Sequence, residues 1–124
     1  MTAGYRFVID SSAWIEYFEG TTLGKKYAEI IEGELNIIIT PRIVLAEVYS
    51  KHLRQNADAL KARFAMESFS MPADEDNELY FDAAKIHAEL RKIYKTISLA
   101  DAIVIAVSRR NNAKLVTKDF HQKG

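Results

Sequence analysis

Four carboxylates stand in apolar surroundings along this sequence. Asp10 ends Phe-Val-Ile-Asp, Glu47 is the sole charge in Ile-Val-Leu-Ala-Glu-Val-Tyr, Asp101 lies in Leu-Ala-Asp-Ala-Ile-Val, and Asp119 follows Leu-Val-Thr-Lys. Carboxylates brought together among apolar side chains repel one another unless cations neutralise them. Hard divalent ions, Mg²⁺ or Mn²⁺, answer that need because they prefer carboxylate oxygen. One or two such ions can activate water, position a phosphodiester and stabilise its leaving oxygen. Taken singly, each residue also has a plainer explanation. Asp10 can cap a helix starting at Ala13, and Asp101 suits the dipole of a first helical turn. Glu47 can pair with Lys51 at i,i+4, and Asp119 can shape a turn. The metal reading rests on their joint placement.

That placement depends on the elements. β-rich runs occupy residues 5–9, 35–39 and 114–116, with a weaker one near 69–71. The first two are nearly continuously apolar, which favours strands covered on both faces, as in parallel sheets. Strands alternating with helical patterns predict an α/β fold. Asp10 and Asp119 then fall just beyond strand ends, where open α/β sheets place their ligands. Thr40-Pro41 reads as an N-cap with proline at the first helical position, opening a helix through Glu47 toward Gln55. Asp76 or Asn77 can cap a helix in which Leu79, Ala83, Ile86 and Leu90 share one face. Ser98-Leu-Ala-Asp101 resembles a capping box, and the helix it opens is apolar nearly all round, hence buried, ending near Asn111 and Asn112. Trp14, Tyr17 and Phe18 at helical spacing predict core packing, with a groove for an apolar partner helix as the alternative.

Bulk properties narrow the function. The 124 residues, 48% hydrophobic and 27% charged, fit a single domain over 1–124 with no linker or repeat. No cysteine means no disulfide, thiolate nucleophile or Cys-ligated zinc, and a reducing cytoplasm is expected. Neither a signal peptide nor a membrane span is expected. Seventeen basic residues balance seventeen acidic ones, so any polyanion must meet a local patch. Lys51 and Arg54, four and seven residues after Glu47, share its helix face, and Arg42 lies near that helix's start. His52, His87 and His121 lack metal-binding spacing and read as surface or packing residues. The glycines form neither a phosphate loop nor a dinucleotide fingerprint, so no nucleotide cofactor is expected.

The anchors Val8-Ile-Asp-Ser-Ser12, Glu47 in a proline-started helix, Ser98-Leu-Ala-Asp-Ala102 and Val116-Thr-Lys-Asp-Phe120, in this order, resemble the PIN-domain family, specifically its small VapC-type toxin ribonucleases. The resemblance spans nearly the whole chain. It implies a three-layer α/β/α domain around a parallel sheet of four to five short strands. It also implies an Mg²⁺/Mn²⁺ site and endonucleolytic cleavage of single-stranded RNA. By the same implication Asp10, Glu47, Asp101 and Asp119 bind metal, Ser12 and Thr117 support them, and the partners are a cognate antitoxin and a second copy of the chain. The family continues past the Asp-Phe step into a final strand, whereas this sequence ends at Gly124, so that strand is expected to be absent and Asp119 is the acidic residue most affected.

The expected reaction is in-line attack by metal-activated water, leaving 5′-phosphate and 3′-hydroxyl ends. Two other classes compete. A PIN-like scaffold would bind RNA or protein without cutting. A signalling receiver fits poorly, because Asp58 lies in a helical stretch and no mid-chain strand precedes it.

Overall fold

The computed structural model describes residues 4–118. Four strands, β1 (Arg6–Ile9), β2 (Ile37–Thr40), β3 (Met71–Pro72) and β4 (Lys114–Val116), form one sheet in the order β3-β2-β1-β4. Every pairing is parallel, and Val8 of β1 faces Ile39 on one side and Leu115 on the other. Six helices connect and cover the strands: α1 (Ser11–Glu19), α2 (Thr22–Ile31), α3 (Arg42–Arg54), α4 (Ala59–Phe69), α5 (Asn77–Leu90) and α6 (Leu99–Arg110). The sheet grows outward from β1 to β3, and the chain then returns to add β4 on the far side of β1. Right-handed crossovers place α1 to α4 on one face and α5 with α6 on the other, giving three α/β/α layers. Packing follows that division: α1 lies against α2 and α3, α3 against α4, and α5 against α6, which rests on β1 and β4.

The apolar runs explain the middle layer. Val8, Ile9, Ile38 and Ile39 are buried, as continuous apolar strands covered on both faces require. Trp14, Val44, Val48 and Met66 join this core from one helical layer, and Leu79, Val104 and Val107 join it as well. α6 buries every residue from Val104 to Ser108, in keeping with its nearly all-round apolar pattern. Gly24 lets α2 lie close on α1, since a Cβ there would fall 1.9 Å from the Glu16 carbonyl oxygen.

Several boundaries differ from the sequence expectation. β2 begins at Ile37 and includes Thr40, so Pro41 is the N-cap of α3 rather than its first helical residue, with no side-chain cap. The reason lies in tertiary contacts. Thr40 Oγ1 donates to Ser70 Oγ at 2.8 Å and accepts from Trp14 Nε1 at 3.2 Å, which engages the hydroxyl across the layers. α1 begins at Ser11, two residues before the expected Ala13. Asp76 rather than Asn77 caps α5, and Asp58 caps α4. Asn112 takes the left-handed conformation (φ 49°) that turns the chain from α6 into β4. The expectation about a final strand concerns residues outside those described.

Candidate active site

β1 and β4 are neighbours although every other strand lies beyond β1, so the strand order reverses between them. Open α/β sheets form their ligand crevice at such a point, outside the carboxyl ends of the strands. Asp10 and Thr117 are the residues that follow those two strands. Both are buried, Asp10 at 3% and Thr117 at 1% exposure. The Asp10 N–H donates to Val116 O at 3.0 Å, which fixes its backbone to the end of β4. Its Oδ1 accepts the Ser11 N–H at 2.8 Å, the capping bond of α1, and its Oδ2 accepts the Thr117 hydroxyl at 2.8 Å.

Ser12 completes the arrangement. Its Oγ accepts the Lys118 N–H at 2.9 Å and lies 3.2 Å from Thr117 Oγ1. Thr117 has one hydroxyl proton and directs it at Asp10, so Ser12 is the donor in the bond between the two hydroxyls. A relay thus runs from Ser12 through Thr117 to Asp10. The capping bond of α1 and the Thr117 bond use different oxygens of the Asp10 carboxylate.

A cavity of about 460 Å³ opens beside Ser11, and α3 supplies its other wall with Glu47, Ser50, Lys51 and Arg54. Arg54 Nε donates to Ser50 Oγ at 3.4 Å. The structure therefore brings Glu47, Lys51 and Arg54 together. Arg42 does not line this cavity: it sits at the opposite end of α3, where its N–H donates to Glu75 Oε2 at 2.7 Å. Asp101 is the third residue of α6 and makes the reciprocal capping box anticipated from sequence. Its Oδ2 accepts the Ser98 N–H and its own N–H donates to Ser98 Oγ, both at 3.0 Å. Asp119 and His121 lie outside the described residues. His52 packs its ring on Phe18 and His87 bonds the Ile97 carbonyl. Trp14 is fully buried, with Tyr17 and Phe18 against it.

The side chains linked to Asp10, those of Thr117 and Ser12, offer oxygen, the chemistry that hard divalent ions select. Among the described residues, however, no three Asp, Glu or His side chains gather closely enough to share an ion. Asp119, the fourth of the expected carboxylates, is outside those residues. Asp10 directs its oxygens to Ser11 and Thr117, and Asp101 directs Oδ2 to Ser98.

Glu16 is the residue that sequence reasoning missed. It is buried on α1, one turn after Ser12, with Oε1 2.5 Å from Lys118 Nζ and Oε2 accepting the Thr21 hydroxyl at 3.0 Å. The Lys118 contact, then that of Thr21, lowers the Glu16 pKa below its ordinary value, and Glu16 raises that of Lys118. The i,i+4 spacing from Ser12 was the available signal, since it puts both side chains on one helix face.

A family model for the PIN domain matches residues 7–123. Among solved structures the chain is similar to VapC20 from Mycobacterium tuberculosis, described as a sarcin-ricin loop cleaving toxin. That match has a TM-score of 0.72 and 18% identity, over 91% of this chain and 89% of that one. It is also similar to VapBC2 from Rickettsia felis, solved bound to a promoter DNA fragment (TM-score 0.69, 16% identity, 93% and 89% covered). A third likeness is to PAE2754 from Pyrobaculum aerophilum (0.69, 14%, 95% and 82%). No curated protein sequence matches significantly. The structural likenesses speak for the fold, and the family model spans nearly all of the sequence: the chain belongs to the PIN domain family.

Proposed function

We propose that this chain is a divalent-metal-dependent endoribonuclease that hydrolyses single-stranded RNA and is restrained by a cognate antitoxin. The observation that carries the reading is Asp10, a buried carboxylate at the sheet's switch point. Ser11 and Thr117 aim its two oxygens, and a cavity walled by Glu47, Lys51 and Arg54 opens beside its neighbour Ser11. The likeness to a toxin described as cleaving the sarcin-ricin loop supports RNA as the substrate class. A homodimer and a cytoplasmic setting belong to the same reading.

Asp10, Glu47, Asp101 and Asp119 are the residues that would hold Mg²⁺ or Mn²⁺, with Ser12 and Thr117 as hydroxyl support. When bound, such an ion supplies Lewis acidity, making water a stronger nucleophile and stabilising charge on the leaving oxygen. The chain's own groups do the rest. The Ser12 to Thr117 relay fixes the Asp10 carboxylate before substrate arrives, so no reorganisation is needed at the moment of reaction. Lys51 and Arg54 face the cavity as cations for the RNA backbone, the guanidinium offering paired donors to phosphate oxygens. Arg42, at the other end of α3, would meet a more distant phosphate.

The test is cleavage of a panel of end-labelled single-stranded RNAs in Mn²⁺ or Mg²⁺, beside EDTA and Asp101→Asn controls. Metal-dependent cutting that both controls abolish is the expected result. Intact RNA throughout, with no divalent-ion binding by calorimetry, would favour the non-catalytic scaffold.

A further inference from the structure

Lys118 lies beyond β4, in the segment that presents Thr117 to Asp10, and two residues of α1 hold it. Ser12 Oγ takes its backbone N–H at 2.9 Å, and one turn later Glu16 Oε1 takes its ammonium. The two contacts bracket the residue at main chain and side-chain tip. Glu16 is itself fixed, because its second oxygen accepts the hydroxyl of Thr21, the N-cap of α2. Its side chain is 9% exposed, against 56% for that of Lys118. The anchor is therefore rigid and buried while the residue it holds reaches in from the surface.

A salt bridge with one exposed partner contributes modestly to stability. This one differs in where it acts. With the backbone N–H of residue 118 tied to Ser12, the hydroxyl of residue 117 meets Ser12 Oγ at 3.2 Å and Asp10 Oδ2 at 2.8 Å. Releasing Lys118 frees the segment that carries the Thr117 donor. Resting on the nuclease reading above, we infer that Glu16 and Lys118 form a positioning clamp, which sets the end of β4 so that Thr117 holds Asp10 in its reactive orientation. Neither residue touches substrate in this account.

Outer-shell partners of this type typically change activity by about 10- to 100-fold when removed. Glu16→Gln and Lys118→Met are each expected to lower kcat about tenfold with KM for RNA within about twofold, whereas Lys118→Arg, which keeps the pair, retains activity. The double variant Glu16→Gln/Lys118→Met is expected to be no worse than either single one, as a shared interaction requires. Leu79→Ala, a core truncation on α5 away from the pair, separates fold from function: it lowers the melting temperature and spares kcat. Hydrogen exchange supplies a readout independent of cleavage, with the amide of residue 118 exchanging about tenfold faster in Glu16→Gln than in the wild type. Wild-type exchange at that amide, or wild-type kcat in both single variants, overturns the clamp. A wild-type protein that cuts no RNA overturns the nuclease reading instead, and the exchange comparison still decides the clamp.

Discussion

Asp10 divides its two carboxylate oxygens between two bonds. Its Oδ1 caps α1 and its Oδ2 takes the Thr117 hydroxyl, so the bond that starts the helix also orients the carboxylate. Thr117→Val keeps the shape and removes the donor. Leaving a buried acceptor short of a partner costs roughly 1–3 kcal/mol, which denaturant unfolding should show together with slower RNA cleavage; Thr117→Ser should restore both. The Glu16 to Lys118 pair has a pH signature. Glu16 titrates below its ordinary 4.5 in the folded state, so its contribution is complete above that value and is lost as pH falls through the lowered one. Lys118 titrates above its ordinary 10.5, so its contribution is complete below 10.5 and is lost only as pH rises through the raised value. The stability gap between wild type and Glu16→Gln should therefore hold from about pH 5 to 10 and close in acid; a gap that widened in acid would contradict the pairing. Asp10 and Asp101 stood out in the sequence as candidates because each interrupts an apolar run at an element's edge. Glu16 was not, because its partner lies more than 100 residues away and only the fold brings them together.

At the scale of elements, continuous apolar runs identified β1 and β2, and helix starts were readable wherever a side chain caps locally, as at Asp76 and Ser98. Thr40 shows where that logic fails. Its type and its proline neighbour suit an N-cap, yet bonds to Trp14 and Ser70 draw the hydroxyl into the space between layers. Two-residue β3 was displaced for a related reason: strands this short are defined by pairing with a neighbour, here Ile39 with Met71, rather than by their own pattern. Gly24 offers a test of the packing between α1 and α2. Alanine in a helix ordinarily gains about 1 kcal/mol over glycine. Here its Cβ would fall 1.9 Å from backbone oxygen that cannot swing aside, so Gly24→Ala should instead destabilise by about 2 kcal/mol in denaturant unfolding. A stabilised variant would mean that the two helices do not approach as described.

The whole molecule carries no formal net charge, so the RNA binding proposed for it requires a local patch. Lys51 and Arg54 are the cations on the cavity wall beside Glu47. Each phosphate contact to a single strand contributes about 0.7 to the slope of log affinity against log salt. Lys51→Ala and Arg54→Ala should each flatten that slope by about this amount in binding measurements across salt, and Arg42→Ala by less. The order of strands, with β4 returning beside β1, was not legible in the sequence, because pairing partners are set by crossover direction rather than by any local pattern. Yet that reversal is what puts Asp10 and Thr117 within hydrogen-bonding distance. The proposed function requires that Asp10 take part in cutting RNA. The most direct measurement compares wild type and Asp10→Asn, matched for folding by circular dichroism, in Mn²⁺-supported cleavage of labelled single-stranded RNA. A loss of about a hundredfold or more is expected in the variant, the scale on which removing one group that stabilises transition-state charge acts. Equal cleavage by the two proteins would contradict it.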